Sequence, residues 1–171
     1  GANKRTGPYG GPIENRAHLL LEVIAAVSEV LGSDRVGVRI SPLNSYNSMS
    51  DSDPIGLATW LAKRLNDCNL AYLHLMRADF FGQQHGDVVT PVREHFHGPL
   101  VLNMGFTPNE AAEAVAAKKA DAVAFGTPFL ANPDLPARLR TGAPLHAPDP
   151  STFYTPGPEG YTDYPALDGG K

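Results

Sequence analysis

From Ile13 onward, Leu19, Leu20, Val23, Ile24, Val27 and Leu31 recur at steps of three and four, which predicts a helix with one apolar face ending at Gly32. The period then falls to two. Val36, Val38 and Ile40 alternate with Gly37 and Arg39, predicting a strand over Arg35 to Ser41 that Pro42 stops. A loop rich in Asn, Ser and Asp runs from Leu43 to Asp53. Asp53-Pro54 is an N-cap followed by proline at the first helical position, and Ile55, Leu57, Ala58, Leu61 and Leu65 continue as a second helix. Ala71 to Leu75 reads as the next strand, Pro91 to Phe96 as a short helical piece and Pro99 to Asn103 as a third strand. Thr107 or Asn109 caps a helix through Lys118. The last strand is Ala122 to Phe125, an unbroken apolar run of the kind carried by parallel strands covered on both faces. Gly126 ends it, and Asn132-Pro133 is expected to cap a helix reaching about Arg140.

Strands alternating with helices mean parallel βαβ units, so the fold class is α/β. Two architectures fit: a small open doubly wound sheet, or half of an eight-stranded (β/α)8 barrel, whose complete form takes about 250 residues. In either, the active site belongs at the carboxyl ends of the strands. The loops there are long and carry the unusual residues. Phe80 and Phe81, in the loop from Met76 to Asp87, are expected to cover the core rather than a ligand. The aromatics Phe153, Tyr154, Tyr161 and Tyr164 in a Pro- and Gly-rich tail suggest that it packs on the body or over a site.

Composition narrows the partners. The chain has 171 residues, the size of one domain, with 14 Lys plus Arg against 18 Asp plus Glu and a net charge of -4. That balance argues against nucleic acid or a membrane surface as the main ligand. No apolar run approaches the length of a membrane span and no secretory signal is visible. The single cysteine, Cys68, rules out an internal disulfide framework and any cysteine zinc cluster; it fits a reducing cytoplasm and reads as a small packing residue between Leu65 and Leu70. The first residues, Gly1-Ala2-Asn3, lack a methionine and open a polar loop, which reads as an interior starting point of a longer chain.

Candidate chemistry is sparse but specific. A helix starting soon after the strand at Ala122 to Phe125 aims free backbone N–H groups at whatever sits above it, and an anionic group such as phosphate is favoured there. Arg39 is a guanidinium in an otherwise apolar strand and requires something anionic or electron-rich to face it: a polar cofactor edge or a partner carboxylate. His74, His95 and His97 do not have metal-ligand spacing, and no metal is expected. The sequence contains no Gly-x-Ser-x-Gly elbow, no phosphate loop ending in Gly-Lys-Ser/Thr and no Gly-x-Gly-x-x-Gly fingerprint.

Taken in order, several stretches together resemble the old yellow enzyme family of FMN-dependent ene-reductases. These are Asn3-Lys4-Arg5-Thr6 with Tyr9-Gly10-Gly11 and Glu14-Asn15-Arg16, then Val36-Gly37-Val38-Arg39-Ile40-Ser41-Pro42. Phe125-Gly126 with Asn132-Pro133-Asp134-Leu135 follows, then Phe153-Tyr154 and Glu159-Gly160-Tyr161-Thr162-Asp163-Tyr164-Pro165. The resemblance implies a TIM barrel holding FMN at its carboxyl face, reduced by NADPH or NADH and reoxidised by an activated alkene such as an α,β-unsaturated carbonyl. It further implies that residues 1–171 are the C-terminal half of one FMN-binding domain, strands five to eight, needing a complementary N-terminal half-barrel chain. By the same resemblance, Arg39 faces the flavin N1 and C2 carbonyl and stabilises the reduced, anionic form. Backbone amides around Met104 and Gly105, and at Gly126 and Thr127, would cradle the FMN phosphate, and Tyr161 would hang near the substrate. The catalytic residues are expected on the other half.

Two positions depart from the family pattern. Thr127 stands where many relatives have arginine, which leaves at best a hydroxyl hydrogen bond beside the amide donors. Met104 stands where small residues are common, although a backbone contact survives a change of side chain. Other readings of the residues are a phosphate-binding half-barrel of a lyase or isomerase and a non-catalytic half-barrel assembly module. Lys118 and Lys119, placed on a helix end, speak against a Schiff-base lysine.

Overall fold

A computed structural model describes residues 1–167. Helix and strand alternate as α1 (Ile13–Leu31), β1 (Gly37–Ile40), α2 (Pro54–Asn66), β2 (Tyr72–Met76), α3 (Val89–His95), β3 (Leu100–Asn103), α4 (Pro108–Ala116), β4 (Ala122–Val123), α5 (Thr127–Leu130) and α6 (Leu135–Thr141). The chain divides into two compact units, the first over residues 1–124 and the second beginning at Phe125.

Local chemistry sets the ends of the helices. Gly32 closes α1 with φ +88°, a left-handed conformation that glycine adopts without the cost a Cβ would bring. Asp53 caps α2 by accepting from the Gly56 N–H at 2.8 Å. Thr107, not Asn109, caps α4 in a reciprocal box: its Oγ1 accepts from the Glu110 N–H at 3.2 Å, and Glu110 Oε2 accepts from the Thr107 N–H at 2.8 Å.

In the first unit the four strands form one parallel sheet in the order β1-β2-β3-β4. Register pairs Arg39 with His74 and His74 with Val101, so these side chains share a face by the period-two alternation. The opposite face carries Val38, Leu73, Leu75, Leu100 and Leu102, buried against Ala17 and Ile24 of α1, Ala58, Leu61 and Leu65 of α2 and Val92 of α3. Each fully buried leucine contributes about 1.5–3 kcal/mol over an exposed one. Helices thus cover one face of a sheet whose strand order never reverses. A doubly wound sheet has helices on both faces and a reversal of order, whereas this arrangement is that of a TIM-barrel wall.

Several expectations are corrected. Arg35 belongs to a 3₁₀ turn, Ser33–Arg35, so β1 begins at Gly37. β4 is two residues long and, with Ala122 exposed, is not covered on both faces in this chain. On α1 the buried residues are Ala17 and Ile24, while Leu19 (61% exposed), Val23 (51%) and Val30 (81%) form an uncovered apolar stripe. Phe80 and Phe81 do not cover the core: both are exposed and cluster with Tyr46, which stacks on Phe81 at 5.8 Å between centroids.

The second unit corrects the helix start at Asn132. α5 begins at once after Gly126, α6 begins at Leu135, and Asn132 lies between them, fully buried. Its side-chain amide donates to the carbonyls of Pro128 (2.8 Å) and His146 (3.1 Å), and its Oδ1 accepts from the His146 N–H at 2.8 Å. These bonds use both donors and the oxygen of the buried amide, as buried polar groups require. Buried Arg138 ties down the tail, donating to Asp134 (2.6 Å), the Pro144 carbonyl (2.7 Å) and the Pro165 carbonyl (2.9 Å). The hydrogen bond from Arg138 holds the Asp134 carboxyl below the usual carboxylate range. Within the tail, the Tyr164 hydroxyl accepts from the Asp149 N–H at 2.8 Å, whereas Tyr154 and Tyr161 are exposed.

Candidate functional site

The uncovered face of the sheet carries the polar side chains. Arg39 projects there from β1, exposed rather than buried, and among the described residues no carboxylate lies within ion-pair distance. Its Nη2 reaches only Met76 Sδ, at 3.8 Å, a weak acceptor at the carboxyl end of β2. The partner-carboxylate alternative for Arg39 therefore has no support among the described residues.

Beside it on β2, His74 is pushed toward the neutral form. Burial is the main cause and the charge of Arg39 adds to it; the Asn103 side chain works in the opposite direction without closing a hydrogen bond. His74 Nε2 and Asn103 Oδ1 are both buried without a partner among the described residues. Native proteins rarely leave such atoms unpaired. A neutral imidazole leaves the guanidinium as the fixed positive charge on that part of the face. Gly37 makes room for the ring of Tyr72, since a Cβ there would fall 2.3 Å from the ring carbon that bears the hydroxyl.

Beyond β3 the chain turns through Met104 (φ +88°) and Gly105 (φ +66°), two successive left-handed residues ahead of α4. Among the described residues neither of their N–H groups has an acceptor. Successive outward N–H groups in such a turn form a concavity for an anion. Arg77, just past the end of β2, grips the other side of the turn: Nε donates to the Met104 carbonyl and Nη2 to the Gly105 carbonyl, each at 2.8 Å.

Asp79 knits the loops after β1 and β2. Its buried carboxylate accepts from the Ser45 N–H (2.7 Å) and hydroxyl (2.9 Å) and from the N–H groups of Gln83 (2.7 Å) and Gln84 (3.1 Å). Burial alone pushes its pKa up, but the Ser45, Gln83 and Gln84 donors outweigh that and hold it well below the usual carboxylate range.

Of the residues expected at the site, Arg39, Met104 and Gly105 stand in the first unit, all toward the carboxyl ends of the strands. Gly126, Thr127 and Tyr161 stand in the second. Gly126 and Thr127 open α5, both exposed, and among the described residues their N–H groups have no acceptor; Tyr161 is 72% exposed. Cys68 is half-buried and its thiol is pushed up, chiefly by burial, in keeping with a packing role. Arg77 and Asp79 escaped sequence reading. Their signal was position: Arg77 and Asp79 fall within three residues after Met76, where charge follows an apolar strand at its carboxyl end.

Residues 1–146 match the model of the NADH:flavin oxidoreductase / NADH oxidase family. A Leishmania infantum protein described as a flavin mononucleotide-dependent alkene reductase is 52% identical over 97% of this chain, and the match covers 45% of that protein. The Arabidopsis thaliana 12-oxophytodienoate reductase 2 is 42% identical over 97% of the chain and 46% of its own length. Among solved structures, the old yellow enzyme from Trypanosoma cruzi superposes with a TM-score of 0.94 at 45% identity, over 97% of this chain and 45% of that one. Morphinone reductase superposes with a TM-score of 0.92 at 46% identity, over 98% of this chain and 46% of that one. The chain thus spans about half the length of the curated relatives it matches. The parallel sheet, the one-sided helix layer and the family match agree with the resemblance carried by the sequence, and the chain belongs to the NADH:flavin oxidoreductase / NADH oxidase family.

Proposed function

We propose that this chain is the C-terminal half of an FMN-binding barrel, strands five to eight, and works as an ene-reductase together with a complementary half-barrel. The observation that carries this reading is Arg39: a guanidinium on an uncovered sheet face whose described surroundings offer only a thioether sulfur. The donor set fits FMN. A fixed cation at the strand ends suits an electron-rich heterocycle edge, and the amides of Met104 and Gly105, unpaired among the described residues, suit phosphate oxygens. Gly126 and Thr127 supply further amides of the same kind, and Tyr161 is proposed near the substrate. When bound, FMN supplies hydride transfer from a nicotinamide to an activated alkene.

The residues of this chain bind and bias rather than move protons. Arg39 holds positive charge where reduction adds negative charge, Asp79 fixes two carboxyl-end loops, and the turn at Met104 orients amides. A cytoplasmic location fits the single cysteine, and no helix among the described residues is long and apolar enough to cross a membrane. The test is an anaerobic titration of the assembled barrel with NADH and NADPH, followed by a cyclic enone. Bleaching and recovery of the flavin band are expected; an assembly that binds no flavin contradicts the reading.

If phosphate is held mainly by amides, Thr127→Ala weakens FMN binding by only about 0.5–1.5 kcal/mol, the worth of one neutral hydrogen bond. Fluorescence titration measures this, and complete loss of flavin would place the phosphate on the threonine hydroxyl instead.

Asp79 gives a pH signature. Its ordinary pKa is 3.8 and the folded value lies lower, so the stability it adds is complete above about pH 4 and is lost as pH falls toward the folded value. Asp79→Asn in the assembled barrel should lower the denaturant midpoint at pH 7 and flatten its decline below about pH 4. Equal slopes for both proteins would show that other carboxylates govern acid unfolding.

A further inference from the structure

We infer that Arg77 is the positioning residue of the phosphate turn: by holding the carbonyls of Met104 and Gly105 its guanidinium fixes the peptide units that carry the Gly105 and Phe106 N–H groups, while its own backbone N–H holds the Asn103 carbonyl at 3.1 Å and with it the unit that carries the Met104 N–H. The inference rests on the reading of Met104 and Gly105 as a phosphate cradle. Met104 is the reason a clamp is needed. A non-glycine residue at φ +88° sits in a sparsely populated region and persists only where its surroundings determine it.

The clamp is itself fixed on three sides. Two donors of one planar guanidinium meet two successive carbonyls at 2.8 Å each, a match to the fork geometry that a lysine ammonium cannot reproduce. The Phe106 ring lies against the guanidinium, 3.5 Å from Cζ to the ring centroid. Glu110 stands 3.7 Å from Nη2 and is held in turn by the capping box with Thr107. Thr107 hydrogen-bonds to draw the Glu110 carboxyl below its usual range, with Arg77 adding a smaller effect. Arg77 is thus hydrogen-bonded on the carbonyl side of the turn and partly neutralised there by Glu110. Its contribution to an anion on the amide side is geometric more than electrostatic.

Flavins with and without phosphate separate this role from general stability. In the assembled barrel, Arg77→Met should raise the FMN dissociation constant about tenfold or more, as loss of an orienting outer partner commonly does. Riboflavin, which lacks the phosphate, should bind as it does to the unsubstituted protein, and that binding also reports that the variant is folded. Arg77→Lys should restore only part of the FMN preference. Full restoration by lysine would show that charge alone suffices and would overturn the positioning role. Equal losses for FMN and riboflavin would overturn it too, by making Arg77 a structural residue. Amide exchange of the unsubstituted assembly keeps the two readings apart. FMN, but not riboflavin, should protect the Met104 and Gly105 amides; without that protection the cradle reading falls and the inference with it. Protection together with an unchanged FMN preference in Arg77→Met would retain the cradle and refute Arg77 alone.

Discussion

Arg39→Met in the assembled barrel is expected to lower the midpoint potential of bound flavin and to slow its reduction by nicotinamide more than its reoxidation by alkene. The guanidinium is fixed on β1 beside a neutral His74, without a competing carboxylate among the described residues, so its charge is available to the ligand. A hydrogen bond to a charged group contributes about 1.5–3 kcal/mol. For a two-electron couple that corresponds to a fall of about 30–60 mV. Removal of a preorganised donor at a site of developing charge costs about 10²- to 10³-fold in rate, which sets the scale for the slowed half-reaction. Arg39→Lys should recover part of both effects, because a point charge on a flexible stem cannot match the planar fork. Redox titration and stopped-flow half-reactions measure them. An unchanged potential with FMN still bound would make Arg39 a structural residue.

The second large effect concerns assembly. Among its described residues, this chain alone presents β1 and β4 as open sheet edges, a sheet face bearing Arg39 and the unpaired His74 Nε2 and Asn103 Oδ1, and the apolar stripe Leu19, Val23 and Val30 on α1. Open edges and exposed apolar stripes promote association with other chains. Closing a barrel pairs both edges at once and encloses the polar face. The isolated chain is therefore expected to self-associate and to unfold over a broad range. Mixed with a polypeptide corresponding to the part of the Leishmania infantum relative it does not cover, it should give a monodisperse 1:1 complex with one sharp transition. Sedimentation velocity and thermal denaturation distinguish these outcomes. A monodisperse isolated chain with a sharp transition of its own would remove the need for a partner.

How much of this was legible in the sequence depended on the range of the interaction concerned. Asp53-Pro54 and Thr107 with Glu110 cap helices through contacts three residues apart, so local pattern located α2 and α4. Alternation around Arg39 located β1 and assigned Arg39 to the face opposite Val38. The stripe on α1 misled because both of its sides are apolar, and periodicity cannot say which side meets the sheet and which awaits another element. Asn132 reads as a cap beside Pro133, yet it is committed to His146, fourteen positions away, which no local rule reveals. Arg77 and Asp79 act on Met104, Gly105 and Ser45, contacts that exist only once parallel strands bring separate loops to one end of the sheet. The family resemblance supplied Met104 and Gly105 as candidates but not the residue that holds them.

Native mass spectrometry of the mixture of this chain, its complementary half and FMN addresses the half-barrel reading most directly. One copy of each polypeptide carrying one FMN is expected, with no flavin on either half alone. FMN bound stoichiometrically to this chain alone, or two halves that stay apart and flavin-free, would contradict it.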